Sequence, residues 1–514
     1  MRDLGDFQTP PELVSAVLDR LGVVGSRWSR VLEPTCGRGH FLRGLLGLSD
    51  PPREVRGVEI QAGHHAEASA LNADSNRFGV TLGNLFELDL DKEPAWTGDG
   101  PLLVVGNPPW VTSSALGVLG SGNHPRKRNA LGLRGIDAMT GASNFDLAEA
   151  VWIKLLTELS TWSPTIALLG KVSVAGRVLE HSARFGLAVA SAWLARIDAR
   201  AWFGASVEAG LFCMTLSPPG TSPRLPESVP IYPDLTTRSP SGSLGFARGR
   251  LVADLDTYQH ASHADGRNPI PWRQGVKHDA AAVMELVADS EGRWRNGLGE
   301  VVDVEPEFVH PLCKGADLAR PSTVARAVLV TQNRPGEDTR RLERTAPKFW
   351  AYLQDHSNAF ERRKSSIYRD APPFAMFGIG PYSFSPYKVA VSGLHRSPVF
   401  RALGPVGGRP TLLDDTCYLL PFPTVEGCAL ATVLLNGPTS LGLLRSLAFP
   451  GSKRPVTKSS LQRIDLQPLW DRADRDASLA LAVAETRRLT GRQADWSIPP
   501  ERLLAGDGPM DYDG

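Results

Sequence analysis

Leu102-Leu103-Val104-Val105-Gly106-Asn107-Pro108-Pro109-Trp110 is the stretch on which the reading of the fold turns. The apolar run, bounded by a glycine and two prolines, has the length of a strand buried on both faces. It delivers a side-chain amide, a stiff backbone carbonyl and a flat ring to one edge of a sheet. Those groups suit a planar exocyclic amine. The Asn107 oxygen and the Pro108 carbonyl accept its two hydrogens, the nitrogen lone pair is drawn out of conjugation, and Trp110 stacks on the ring. Pro108 and Pro109 fix φ and leave no N–H to compete. Taken alone, the tetrapeptide reads equally as a rigid turn.

The sequence upstream supplies the context. Arg30-Val31-Leu32-Glu33 reads as a short buried strand, followed by Pro34-Thr35-Cys36-Gly37-Arg38-Gly39 and a helical pattern from His40. A strand, a Gly-x-Gly turn and a helix form the first unit of a nucleotide-type site, where glycines admit a ligand close to the backbone. The Lys-Ser/Thr ending of a phosphate loop and the third glycine of a dinucleotide fingerprint are both missing, which disfavours a triphosphate or NAD. About 20 residues on, a second strand ends in Glu59, a carboxylate for two ribose hydroxyls. A third ends at Gly83-Asn84-Leu85-Phe86, where Asn84 suits an adenine edge with Leu85 and Phe86 packed on the ring.

The ordered set Thr9-Pro10-Pro11, Glu33 to Gly39, Glu59, Asn84 and Asn107 to Trp110 resembles the S-adenosylmethionine-dependent DNA amino-methyltransferases. It is most similar to the adenine-specific gamma arrangement, with cofactor motifs first, the catalytic motif next and recognition last. Motif by motif the resemblance covers roughly the first two-fifths of the chain; beyond that it is one of layout. Trp110 stands where Tyr or Phe is more usual, and Asn84 where Asp is common. The resemblance implies an α/β class I methyltransferase, a Rossmann-like doubly wound sheet, followed by a mixed α+β target recognition domain. It implies S-adenosylmethionine held by Thr9, Glu33, Pro34, Thr35, Cys36, Gly37, Gly39, Glu59, Asn84, Leu85, Phe86 and Asn107, with Asn107, Pro108, Pro109 and Trp110 catalytic. It implies methyl transfer to the N6 amine of an adenine flipped from double-stranded DNA, with no metal, within a restriction-modification or phage-defence setting.

Composition agrees with an ordinary globular enzyme. At 514 residues the chain is long enough for two or three cored domains. Residues 1–6 carry acids and no apolar core, and no run of about 20 apolar residues exists, so a cytoplasmic protein that spans no membrane is expected. Cysteines 36, 213, 313, 417 and 428 are scattered and odd in number, as reduced thiols are. A formal net charge of +1 means that affinity for nucleic acid must come from charge gathered on one face.

Along the chain, strand and helix alternate to about residue 215. Thr9-Pro10-Pro11-Glu12 has the form of a capping box before a helix with the stripe Leu13, Val14, Val17, Leu18 and Leu21. Residues 112–142 form a Gly/Ser/basic stretch whose cluster Arg126, Lys127 and Arg128 suits the DNA backbone. Ser143 is placed to cap a helix over 144–159, in which Phe145, Asp146 and Glu149 match a segment that supports the cofactor; core packing is the alternative for Phe145. Ala201-Trp202-Phe203-Gly204 resembles the place of a second aromatic wall for a flipped base, and plain core is again the alternative.

Pro, Ser and Thr crowd residues 217–242, so the expected division is 1–220 methyltransferase domain, 221–270 linker, 271–480 recognition domain and 481–514 tail. Arg362, Arg363 and Lys364, Tyr382 and Lys388 within the aromatic run from Phe374, and Lys453, Arg454 and Lys458 are, with Phe203, the further candidates for DNA contact. No nuclease motif stands before the cofactor motifs or after them, so any nuclease or defence subunit is expected as a separate partner. Three alternatives stay open: a cytosine-N4 methyltransferase; a glutamine methyltransferase, which needs no large second half; and a non-catalytic DNA-binding subunit.

Overall fold

The computed structural model describes residues 8–71, 77–111, 146–319, 326–449 and 454–505. The chain divides into two compact units, one running to Asp256 and rejoined by Phe449, the other beginning at Thr257.

In the first unit the described elements are α1 (Pro11–Leu21), β1 (Arg30–Glu33), α2 (His40–Leu46), β2 (Glu54–Glu59), α3 (Ala62–Ser69), β3 (Phe78–Leu82) and β4 (Leu102–Gly106). Then come α4 (Leu147–Glu158), β5 (Thr165–Lys171), α5 (Val172–Arg184), β6 (Val189–Ile197), α6 (Ala199–Phe203), β7 (Ala209–Leu216), β8 (Ser228–Tyr232), β9 (Gly242–Ala247) and β10 (Arg250–Val252). One sheet takes all the strands in the order β3-β2-β1-β4-β5-β7-β6-β8-β9-β10. From β3 to β5 every pair is parallel, with Arg30 opposite Leu102 and Gly106 opposite Leu168. β7 runs antiparallel to both β5 and β6.

The parallel strands are apolar on both sides because both sides are covered. Leu102 and Val104 face a core shared with Trp152 and Leu155 of α4 and Val178 of α5. Leu103 and Val105 face the opposite core, with Leu13 and Val17 of α1 and Phe41 of α2. This is the doubly wound sheet that the sequence predicts.

The interval expected as a linker instead carries three strands of this sheet. β8 lies parallel on β6, and β9 and β10 follow antiparallel. Val229, Ile231, Leu244 and Leu251 point into the core. Each strand sends only one or two apolar side chains inward, so the Pro/Ser/Thr loops between them dominate the composition.

The Thr9 capping box also fails to form: Pro10 is the N-cap of α1, without a side-chain cap. α4 is capped by Asp146, whose carboxylate accepts from the Ala148 N–H at 3.1 Å; Ser143 and Phe145 lie outside the described residues.

The second unit is mixed α+β. An antiparallel sheet joins β11 (Arg273–Gln274), β19 (Cys417–Phe422), β16 (Tyr387–Ser392) and β17 (Arg401–Leu403). A second sheet runs in the order β13 (Trp294–Asn296), β12 (Glu285–Ala288), β15 (Arg326–Leu329), β14 (Val309–Cys313), β18 (Leu412–Leu413). The expected tail belongs here too. α7 (Val425–Leu435) is buried nearly all round, and α8 (Arg475–Thr490) packs on it through fully buried Ala482 and Thr486. Leu503 and Leu504 are buried, and Glu501 accepts from the Trp470 indole at 2.7 Å. Among the described residues no single helix is long and apolar enough to cross a membrane.

The extra strands set a measurable boundary. Burying Val229, Ile231, Leu244 and Leu251 is worth roughly 1.5–3 kcal/mol each, together about as much as the whole stability of a domain, roughly 5–15 kcal/mol. A fragment ending at residue 220 is therefore expected to aggregate or to melt without cooperativity, and a fragment ending at 256 to melt as one transition. Size-exclusion chromatography and calorimetry on the two fragments check this.

Candidate active site

The sheet reverses its winding between β1 and β4, which are neighbours although three elements and a further strand separate them in sequence. At such a switch point the connections leave on opposite sides and a crevice stays open beyond the carboxyl ends of the strands. Glu33 ends β1, Glu59 ends β2 and Asn107 follows β4, so the sequence candidates meet along one edge.

The Gly37–Gly39 turn closes β1. Gly37 has φ +53° and Gly39 φ +81°, a region that penalises any residue with a Cβ. At Gly37 an added Cβ would lie 2.9 Å from the Gln8 amide, and at Gly39 2.7 Å from Leu71. The Glu59 carboxylate organises this turn: it accepts from the Gly37 N–H and the Gln61 N–H, both at 2.8 Å. A carboxylate offers about four lone-pair sites, so two hydroxyls remain within its capacity.

Glu33 and Thr35 lie beneath the turn. Burial pushes the Glu33 carboxyl well above its usual range, and neighbouring Glu59 pushes it the same way. Glu33 Oε2 and Thr35 Oγ1 are buried with no hydrogen-bond partner among the described residues. Burial likewise raises the Cys36 thiol far above its ordinary value, which leaves a packed thiol rather than a nucleophile.

One expectation at β3 changes. Leu85 is withdrawn into the core and offers no surface to a ring, while Phe86 packs half-buried on the same core. Asn84 Oδ1 is engaged by the Phe86 N–H at 3.1 Å, so its amide NH2 is the end suited to a ring nitrogen. The apolar surface at this edge comes from residues the sequence reading passed over: Ile60, 41% exposed directly after Glu59, and Leu82, 52% exposed at the end of β3.

Beyond β4, Asn107 Nδ2 donates to Thr9 Oγ1 at 3.2 Å, which assigns the oxygen to the other end of the amide. Thr9 does not cap α1 because Pro11 holds Pro10 in an extended conformation, φ −59° and ψ 144°, so that the helix starts one residue too late for it. Pro108 is buried and Pro109 half-buried. Trp110 is buried, its indole N–H donates to the Leu169 carbonyl at 3.4 Å, and Phe203 meets it edge-on with centroids 5.1 Å apart. Phe203 therefore joins Trp110 as expected, but as a T-shaped pair. One residue further on, the Val111 carbonyl accepts from the Leu147 N–H at 2.9 Å. Asp146 pairs with Lys171 at 2.8 Å and Glu149 with Arg177, tying the start of α4 to β5 and α5. Lys171 was legible as a lone cation ending an apolar strand.

In the second unit the candidates separate by burial. Arg362, Lys364 and Lys458 are exposed, as phosphate contacts require. Arg363 is a strut: its guanidinium lies 3.8 Å from the Tyr368 ring centroid and donates to the Ala375 carbonyl at 2.8 Å. Lys388 is 1% exposed in β16 and donates to the Ser385 carbonyl at 2.5 Å, and burial pulls its ammonium down to about 7. It cannot reach a phosphate. Tyr382 lies half-buried under Arg273, and Arg454 donates to the Asp415 carbonyl at 3.3 Å. Within the aromatic run Phe374 is core, buried at φ +58°, and Phe384 packs half-buried on the same cluster, while Phe377 and Tyr387 are half-buried. Arg126, Lys127, Arg128 and Lys453 lie outside the described residues.

Comparison with known proteins places this edge in context. No family model matches the chain. It is 34% identical over 481 residues, 91% of this chain and 97% of the other, to the Type II methyltransferase M.NspV of Nostoc sp. (strain ATCC 29411 / PCC 7524). In fold it is similar to the Type IIL restriction-modification enzyme MmeI, solved in complex with DNA: TM-score 0.55 and 14% identity over 98% of this chain and 73% of that one.

Two substitutions test this geometry. Gly37→Ala should cost about 1–2 kcal/mol for its left-handed backbone alone, read by urea denaturation, and should abolish S-adenosylmethionine binding. Glu33 titrates higher in the folded than in the unfolded protein, so the folded state holds more protons and loses stability as pH rises from the ordinary carboxylate range toward the raised value. Glu33→Gln should remove that loss: without cofactor it should melt above wild type, by a margin that widens as pH rises through that window.

Proposed function

The chain belongs to the Type II methyltransferase family, whose members are S-adenosylmethionine-dependent DNA methyltransferases, and we propose that it methylates the N6 amine of adenine in duplex DNA at a specific sequence. The observation that carries this reading is the Asn107–Thr9 hydrogen bond at the end of β4. It fixes which end of the amide is the acceptor at the switch point of the sheet.

The residues present fit the cofactor. The strained glycine turn admits a ligand against the backbone, Glu33 keeps a buried oxygen without a hydrogen-bond partner among the described residues, Glu59 retains acceptor capacity, and Ile60 and Leu82 offer apolar surface. S-adenosylmethionine, when bound, supplies an electrophilic methyl group on a cationic sulfur.

The protein's own residues do the rest by positioning. Asn107 Oδ1 and the Pro108 carbonyl accept the two hydrogens of the amine and aim its lone pair. The Trp110–Phe203 pair shapes the apolar wall against which the ring rests. The base is extruded from the duplex at a cost of a few kcal/mol. The amine is neutral and its target a strong electrophile, so no strong general base is required. MmeI, of like fold, was solved with DNA, and the exposed cations of the second unit supply phosphate contacts. Adenine is preferred over cytosine because the motif order follows the gamma arrangement; both amines would satisfy the same two acceptors.

Sequencing of native DNA from cells with and without the gene tests the reading: N6-methyladenine at one sequence supports it, and N4-methylcytosine replaces it with the rival base. Asn107→Ala should lower transfer of tritiated methyl by roughly 100-fold or more while cofactor binding survives. Replacing Arg362 and Lys364 together by Ala should reduce the slope of log affinity against log salt by about 1 per lost contact, whereas Lys388→Ala should lower the melting temperature.

A further inference from the structure

All 12 tryptophans of the chain fall within the described residues, and Trp202 is the most exposed of them, at 36%. It stands on α6, which follows the end of β6, and the chain then re-enters the sheet as β7 with Ala209 opposite Lys171. That is the edge which carries Asn107. The helix is short but firmly held. Asp198 accepts from the N–H groups of Arg200 and Ala201, both at 2.9 Å, and Gly204 closes the helix at φ +67°. Phe203, the next residue, is anchored edge-on to Trp110. Trp202 is thus held facing solvent beside the site, with exposed Arg200 on the same helix and Val207, 41% exposed, just after it.

A large aromatic with about a third of its surface open at the edge of the crevice keeps apolar area that a flat partner would cover. A base extruded from a duplex leaves stacking faces without a neighbour, and apolar side chains fill such gaps in kinked or opened DNA. We propose that Trp202 stacks on the duplex at the target base pair and holds it open while the extruded base is in the site, with Arg200 on the adjacent phosphate. The proposal rests on the reading of the chain as a duplex DNA methyltransferase. It assigns Trp202 a role in opening the pair, distinct from the methyl-transfer step served by Asn107 and Trp110.

The test compares wild type, Trp202→Ala and Trp202→Phe on two synthetic duplexes bearing the sequence located by native-DNA sequencing. In one the target is paired; in the other it faces an abasic position, so that it needs little opening. Trp202→Ala should lose roughly tenfold in kcat/KM on the paired duplex, the worth of one stacking contact, and return to within about twofold of wild type on the abasic one. Trp202→Phe should fall between, with melting temperature and cofactor affinity unchanged throughout. Equal loss on both duplexes, or no loss on the paired one, would overturn the proposal. If wild type itself methylates neither duplex, the functional reading fails, and the role of Trp202 with it.

Discussion

The parallel pairing of β1 with β4 is the constraint on which the site depends. A parallel pair needs a crossover on one face. Here the chain winds outward from β1 through β2 and β3, then returns to β4 and winds the other way through β5. Two strand ends are left side by side with no connection across them. Glu33, the glycine turn and Asn107 follow those ends, and Glu59 of β2 is tied to them through the Gly37 N–H. The apolar runs of β1 and β4 are therefore more than core: their burial on both faces aligns the Glu33 end with the Asn107 end.

Electrostatics at that edge is asymmetric. Glu59 accepts from two backbone N–H groups, whereas Glu33 is buried with one oxygen that has no hydrogen-bond partner among the described residues. Burial, and after it the neighbouring Glu59, disfavour the charge of Glu33. A site built to rest alone would not keep this arrangement, because an unpaired buried carboxylate costs several kcal/mol. A site built for a cationic ligand gains from it, since the ligand's charge offsets what burial took away.

What the sequence made legible was local. Asn107 to Trp110, the glycine turn and Glu59 each sit within a few residues of the strand that presents them, so order along the chain carries their order in space. The misread positions were decided by distant contacts. Lys388 alternates with apolar neighbours as a surface lysine does, yet β16 is enclosed between β17 and β19. Leu85 belongs to the core rather than to the crevice beside it. β8 to β10 were hidden by their loops, and Arg363 by its trio, in which the middle cation turns inward on Tyr368 while the outer two stay in water. Ile60 was missed for a different reason. The acid before it drew the chemical reading, and a single exposed apolar residue has no periodicity to mark it.

The N-terminal segment joins the two halves of the site. Gln8 Oε1 accepts from the Arg38 N–H at 3.2 Å, the Thr9 carbonyl lies 2.6 Å from His40 Nδ1, and Thr9 Oγ1 accepts from Asn107. Two consecutive residues thus bond to the glycine turn, to the first residue of α2 and to the Asn107 amide 98 positions away. A shift of that segment moves the glycine turn and the amide together. Loss of about 1 Å in placement can cost 100-fold in a reaction driven by positioning; in the proposed reaction such a shared tether would keep the glycine turn and the Asn107 amide in register. In a local reading the same threonine is a helix cap; Pro11 moves the start of α1 past it by keeping Pro10 extended, and the Thr9 hydroxyl meets Asn107 instead.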